Sequence, residues 1–360
     1  MGERGTGRPT VLGLFDWKPQ TGSGAGLLNP EQPLPYRADL LPSSGRLDLR
    51  VVRPASTRVH RKVRDVVEHR SGVTMDLLLR AVPRAASSQA VLAFLEHQLT
   101  SLSWARRHRL QPYSSIPAMG IACWWAEELA SGQRDPRQVA EIVAGIDRLF
   151  VFSRNQREIF ERAGVPGEKV RPVLFGADHR FFTPVEAEPR FDAVAVGVDR
   201  GRDWHTLVEA ARRLPSRRFD VFTGPGRIVG PDLPSNLTVH EPVGFTEYRE
   251  VLRTARVVVV PTFDLAYPVG QSVLLEAMAS GRCTVVTGTS AMADYIEDGR
   301  TSLAVTPGDP QALARAVDDA LGDDSGREMM GRAARLAVEE GFTFDHLWRT
   351  IGEEILEEIA

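Results

Sequence analysis

At 360 residues the chain is long for one domain and short for three, and 42% hydrophobic with 25% charged residues is the composition of a globular protein with a sizeable core. A disordered chain, a coiled coil and a collagen-like fibre are excluded. The net charge of −3 supplies no field to draw the molecule onto nucleic acid or an anionic membrane, so no nucleic-acid partner is expected. Lysine occurs only at Lys18, Lys62 and Lys169, and the other 41 basic residues are arginine, which reads mainly as the codon bias of a GC-rich genome. Cys123 and Cys283 are too few for a disulfide framework and lack metal-ligand spacing, so a reducing, cytoplasmic setting fits. No run approaches the ~20 apolar residues of a membrane span. The run Val11 to Phe15 is too short for a signal-peptide core, and the match of Gly2 and Thr6 to an acylation pattern is read as chance.

In chain order, Val11 to Phe15 reads as a strand entering a glycine-rich run from Gly22 to Gly26. Leu49 to Val52, Val91 to Leu95, Pro117 to Cys123 and Leu149 to Phe152 are further strand candidates. Helical stretches lie between them, one with Val59, Val63, Val66 and Val67 on a single face. Thr183 to Pro189, with its prolines and glutamates, is the expected linker. Beyond it, Phe191 to Val196 is a strand, and Leu207, Val208, Ala211 and Leu214 mark a helix. Phe219 to Thr223 and Leu237 to His240 are strands, followed by a helix over Thr246 to Ala255 capped by Thr246. Val257 to Pro261 is apolar throughout, which suits the middle of a parallel sheet. A helix over Ser272 to Ser280 stops at Gly281; then come a strand at Thr284 to Thr287, a short helix around Ala293 to Ile296, and a strand at Ser302 to Val305. Asp309-Pro310 caps a helix whose inner face carries Leu313, Val317, Ala320 and Leu321. Leu347, Ile351, Ile355 and Ile359 recur every four residues, predicting a final amphipathic helix over Asp345 to Ile359.

Strands and helices alternating at this spacing predict an α/β fold of two doubly wound, Rossmann-like domains, over 1–182 and 183–342, with a last helix over 343–360 packing back on the first. In such sheets ligands bind at the carboxyl ends of the strands. Gly270 to Ser272 lies where a helix begins, so backbone N–H groups and the positive end of its dipole are available for a phosphate or diphosphate. Glu276, one turn further in, is able to accept hydrogen bonds from vicinal hydroxyls such as those of a ribose. The competing reading is a glycine-stopped core helix with Glu276 on its wet face, and spacing does not separate the two. Arg200 and Arg202, after the strand ending at Val196, are forked cations suited to a diphosphate. With 41 arginines, a surface Arg needs no ligand.

From Leu149 onward the chain resembles the retaining GT-B glycosyltransferases of family GT4. The resemblance runs through Phe152-Ser153, Gly164-Val165-Pro166, Gly176-Ala177-Asp178, Gly197 with Arg202, Gly224-Pro225-Gly226, Val243-Gly244-Phe245, Leu275 to Gly281 and Pro307-Gly308-Asp309. It implies a nucleotide diphosphate-sugar donor, an acceptor that is a small molecule or glycan, and transfer without a cofactor. Arg202 would meet the donor diphosphate with Arg200 as helper, and the backbone of Val243 to Phe245 would face the base. Gly270, Gln271 and Ser272 would offer N–H groups to phosphate and sugar, and Glu276 would hold the ribose. The family's pair of glutamates eight positions apart is half kept: the second is Glu276 and the first falls on Pro268, with Asp264 and Tyr267 the nearest polar groups. In the first domain Gly24 is similar to the family's glycine loop, and Glu96, His97, Trp124 and Glu127 lie where the acceptor should dock. Trp124 and Trp125 would otherwise be core residues.

No Asp-x-Asp motif occurs, so metal-independent, front-face transfer is the expectation and no catalytic nucleophile is named. The alternatives are a catalytically degenerate nucleotide-sugar-binding or regulatory subunit, with Pro268 as the lesion, and a nucleotide-sugar epimerase. Arg50, Arg53, Arg58, Arg61, Lys62, Arg64 and Arg70 form a basic stretch read as a solvated helix face in preference to a membrane-docking face. A bacterial enzyme of natural-product or glycan biosynthesis fits this reading.

Overall fold

The computed structural model describes residues 7–15, 34–52, 75–228 and 232–360. Gly24, the helix expected around Val59 to Val67 and all of the basic stretch except Arg50 lie outside them. The chain divides into two units. One is built on Arg37–Val173 with the first strand and Trp348–Ala360; the other is Leu174–Leu347.

The first unit carries a six-stranded sheet of β1 (Thr10–Leu14), β2 (Asp48–Val51), β3 (Ala90–Phe94), β4 (Ala118–Ile121), β5 (Arg148–Val151) and β6 (Val170–Pro172), in the order β2-β1-β3-β4-β5-β6. Every pairing is parallel. β1, β3 and β4 are buried at every residue, as expected of strands with helices on both faces. The Phe344–Ile359 helix turns Leu347, Ile351 and Ile355 inward, at 2%, 0% and 0% exposure. Arg171 Nε holds its outer face to Glu354 at 3.0 Å.

The second unit repeats the plan with β7 (Phe191–Val196), β8 (Phe219–Phe222), β9 (Leu237–His240), β10 (Ala255–Val260), β11 (Cys283–Thr287) and β12 (Leu303–Val305), ordered β12-β11-β10-β7-β8-β9 and all parallel. The chain runs outward from β7 to β9, then returns to β10 and runs outward the other way. The switch point therefore lies between β7 and β10, whose register (Val259 opposite Ala195) brings their carboxyl ends level. The all-valine end of β10 is fully buried, the environment that β-branched side chains favour.

Three local expectations are corrected. The helix after β9 spans Phe245–Arg253 and its N-cap is Gly244, so Thr246 lies inside it. Residues 291–295 form turns and no helix. The Asp324–Gly341 helix had no counterpart in the sequence reading, although Met330, Ala334 and Val338 repeat every four residues and Asp323 caps it through Gly326 N–H. No helix among the described residues is long and apolar enough to cross a membrane.

Candidate functional site

The switch point of the second sheet is assembled from the two loops that leave β7 and β10. Asp203 N–H donates to Pro261 O at 3.1 Å and Phe263 N–H to Gly201 O at 3.0 Å, so the loops are zipped together just beyond the strand ends. An antiparallel bridge pairs Arg202 with Thr262, and Thr262 N–H donates to Thr287 Oγ1 at 2.9 Å, tying the loops to β11. Asp203 then caps the Trp204–Arg213 helix through Thr206 N–H.

This frame sends the Arg202 side chain inward, where 2% of it remains exposed. Two glycines leave the slot it occupies. A Cβ on Gly197 would stand 2.3 Å from Arg202 Nε, and one on Gly270 would stand 2.8 Å from Nη1. Gly270 also has φ +87°, a left-handed backbone that side chains strain. On the open side Asp199 grips the loop at two points, accepting Gly201 N–H and Arg202 Nε at 2.9 Å each. Arg202 Nη1 is left buried with no partner among the described residues. An unpaired guanidinium N–H away from water is costly, and an anion's oxygen is the natural complement.

Gly270 is the N-cap of the Gln271–Ala279 helix, so that helix directs its free N–H groups and positive dipole end beside Arg202. Gln271 is 3% exposed; its Nε2 donates to Tyr267 Oη at 3.2 Å while Oε1 lacks a partner. Ser272 is half-buried on the next position. Glu276 is 8% exposed, which overturns its placement on a wet helix face. Its Oε2 accepts the Tyr248 hydroxyl at 2.5 Å. Burial pushes its carboxyl up to about 8, while the Tyr248 hydrogen bond and the Arg202 charge pull the other way and Asp178 adds to the rise.

The remaining sequence-derived positions are placed less tightly. Arg200 is exposed and Val243 half-buried. The Phe245 side chain is buried, stacked on Phe181 at 4.8 Å and edge-on to Phe182 at 5.5 Å, leaving Gly244 as the exposed backbone of that turn. Pro268 is buried, Tyr267 half-buried and Asp264 exposed, so no carboxylate replaces the family's first glutamate inside the site. Tyr248 and Asp199 were not singled out from sequence; a tyrosine on an amphipathic helix and an acidic loop residue carry no signal by themselves.

In the first unit, Glu96 Oε1 accepts the N–H groups of Cys123 and Trp124 at 2.5 Å each, bringing the carboxyl ends of β3 and β4 together. This places Glu96 and Trp124, both half-buried, side by side, with His97 exposed and Glu127 half-buried on the flanking helices. Leu95, between β3 and Glu96, has φ 75° and ψ 161°, a region normally left to glycine. Trp125 is a core residue at 1% exposure. Among the described residues no group of three or more His, Cys, Asp or Glu is placed to hold a metal ion.

Two parallel six-stranded α/β units with this strand order define the GT-B fold, and solved structures agree. Anabaena HepE, solved in complex with UDP and glucose, matches with TM-score 0.71 at 13% identity, over 97% of this chain and 100% of that one. Sucrose-phosphate synthase from Thermosynechococcus elongatus matches with TM-score 0.72 at 17% identity, over 97% and 98%. Residues 194–323 match the family model of glycosyl transferases group 1. A D-inositol 3-phosphate glycosyltransferase of Paenarthrobacter aurescens is 29% identical over 243 residues, which is 59% of this chain and 59% of that relative's own length. An alpha-maltose-1-phosphate synthase of Mycolicibacterium smegmatis is 26% identical over 305 residues, 73% of this chain and 75% of the relative.

Proposed function

We propose that the chain is a retaining, metal-independent glycosyltransferase of the cytoplasm, moving a sugar from a nucleoside diphosphate donor to an acceptor hydroxyl. One observation carries the reading: Arg202 Nη1 lies buried and unpartnered beside the amino end of the Gln271–Ala279 helix. A diphosphate satisfies both at once. In this reading Arg200 assists Arg202 from the solvent side and the N–H groups of Gly270 and Ser272 meet phosphate and sugar; the Gln271 N–H already donates to Pro268 O at 3.2 Å, so Gln271 contributes through its side chain. Glu276 accepts the ribose hydroxyls, and the backbone of Val243 to Phe245 faces the base. Residues 183–342 form the donor domain. Residues 1–182 form the acceptor side, with Gly24, Glu96, His97, Trp124 and Glu127 toward a small-molecule or glycan acceptor, and 343–360 the returning helix.

Charge develops on the departing diphosphate as its bond to the anomeric carbon breaks. Arg202 and the helix amides are already oriented toward that charge, the arrangement that lowers such a barrier without reorganisation. The acceptor oxygen bonds to the same face of the sugar while its proton passes to the departing phosphate oxygen. Configuration is retained and no protein nucleophile is needed.

Thermal-shift screening of UDP, GDP, ADP and dTDP tests the site, with UDP first because the HepE structure holds it. One diphosphate should stabilise the chain by ~2.7 kcal/mol at a hundred times its Kd. Arg202→Ala and Glu276→Ala should each abolish the shift; normal binding by both would remove the assignment. The buried Pro268 favours one second reading, a chain that binds the nucleotide-sugar without transferring it. Donor binding with no turnover across sugar, polyol and phenolic acceptors would select that reading.

A further inference from the structure

Tyr248 comes from a different element than Arg202, Gly270 and Glu276, the Phe245–Arg253 helix. Its N–H closes the first turn on Gly244 O at 2.8 Å, and its ring is 3% exposed. The ring sits edge-on to Phe182 at 5.9 Å and against Phe245 at 6.2 Å, so packing fixes where the hydroxyl points. That hydroxyl reaches only 2.5 Å from Glu276 Oε2.

We infer that Tyr248 is a positioning residue for Glu276: it aims the carboxylate and keeps it able to ionise inside a buried site, so nucleotide affinity follows the loss of one proton from this pair. The inference rests on the proposed ribose role of Glu276. Three groups face that carboxylate from the elements around it: Arg202 from the loop after β7, Asp178 from the segment of the second unit that precedes β7, and Tyr248 itself. Tyr248 is held far above its ordinary value by burial and by the neighbouring Glu276 charge, so the glutamate is the member that releases its proton first. Glu276 does so near pH 8. With one lone pair of Oε2 engaged by tyrosine, the ionised carboxylate still offers Oε1 to a vicinal diol, whereas the protonated acid loses acceptor capacity. Affinity for a ribonucleotide should therefore rise as pH rises toward and through 8.

The test is calorimetric titration of the full chain with UDP and with 2′-deoxy-UDP between about pH 7 and about pH 9.5, for the native chain, Tyr248→Phe and Glu276→Gln. Native affinity for UDP should climb by up to ~10-fold per pH unit below the midpoint and then level off. Tyr248→Phe keeps the ring and removes the hydrogen bond, so its midpoint should move upward by about one unit, with the lost affinity recovered at the alkaline end. Glu276→Gln, and 2′-deoxy-UDP on the native chain, should show no such climb. An affinity loss in Tyr248→Phe that is equal at every pH would overturn the inference, because a packing defect behaves that way. So would a flat native profile with UDP, a measurement that stands even if the phenylalanine variant does not fold. The parent reading fails by a different result: Arg202→Ala and Glu276→Gln both binding UDP as the native chain does.

Discussion

The two sheets share a topology plan, yet their carboxyl edges are built from opposite materials. At the switch point of the second sheet one buried guanidinium nitrogen, Arg202 Nη1, has no partner among the described residues and lies beside a helix amino end, and a carboxyl lies one turn further in. At the first sheet's switch point, between β1 and β3, Phe15 meets Phe94 at 5.4 Å, and the nearby Glu96 carboxylate binds two backbone N–H groups of its own unit. The buried polar atoms left without partners in the first unit include the neutral Gln98 Oε1 and Ser153 Oγ; Arg148 Nε is also among them, but its guanidinium is ion-paired to Glu358 through Nη2. A fold supplies the location of a site, and the residues placed there decide its ligand. A guanidinium nitrogen with its donors unfilled suits a diphosphate; apolar rings with neutral hydrogen-bonding groups suit a hydroxyl-bearing molecule.

Breaking the charged edge should have the largest effect. Arg202→Ala removes Nη1, the donor without a partner among the described residues, and nucleotide diphosphate affinity should fall by roughly 4 kcal/mol, close to a thousandfold in Kd by calorimetry. Its fold stability should change little, because the slot loses a buried charge as well as its Asp199 contact.

The buried carboxyl sharpens the contrast through pH. Glu276 has an ordinary value of 4.5 and is raised to about 8 in the folded chain, so the folded state holds a proton that the unfolded state has released. Its contribution to stability is fully present below pH 4.5 and is lost as pH rises through about 8. The loss should amount to a few kcal/mol. Denaturant midpoints measured at intervals across that window should decline for the native chain and stay level for Glu276→Gln.

In the first unit the sign reverses. Glu96→Gln weakens the cap on Cys123 and Trp124 and should lower stability by about 1–2 kcal/mol, while UDP affinity stays at the native value. An equal fall in UDP affinity would remove the division of labour between the two edges.

The architecture was legible because its signals are periodic. Val257 to Pro261 reads as a central strand on composition, and Asp309-Pro310 marks a helix start that the structure keeps, with Asp309 accepting Gln311 and Ala312 N–H. The cap at Thr246 failed because Gly244 opens the turn two residues earlier, and glycine competes as an N-cap without advertising it. Arg202, Gly270 and Glu276 stand out in the sequence because they sit at strand ends and helix starts. What sequence could not give is which atoms remain unpaired. That depends on Asp199 taking Nε and leaving Nη1, and on Tyr248 arriving from a helix that precedes Glu276 by more than two dozen residues.

The smallest effect tests whether the slot is a single object. Gly270→Ala adds one methyl at φ +87°, where a side chain costs about 1 kcal/mol, and directs it at Val260 Cγ1, 2.6 Å away, and Arg202 Nη1, 2.8 Å away. β10 is packed on both faces, so Val260 cannot retreat, and the guanidinium must give way instead. UDP affinity should therefore fall along with stability. Because the methyl acts on affinity through Arg202, the Gly270→Ala and Arg202→Ala losses should not add: the double variant should bind UDP no more weakly than Arg202→Ala alone. Additive losses would mean that the glycine serves the ligand directly through its own backbone, and that the arginine and the helix amino end act as separate contacts.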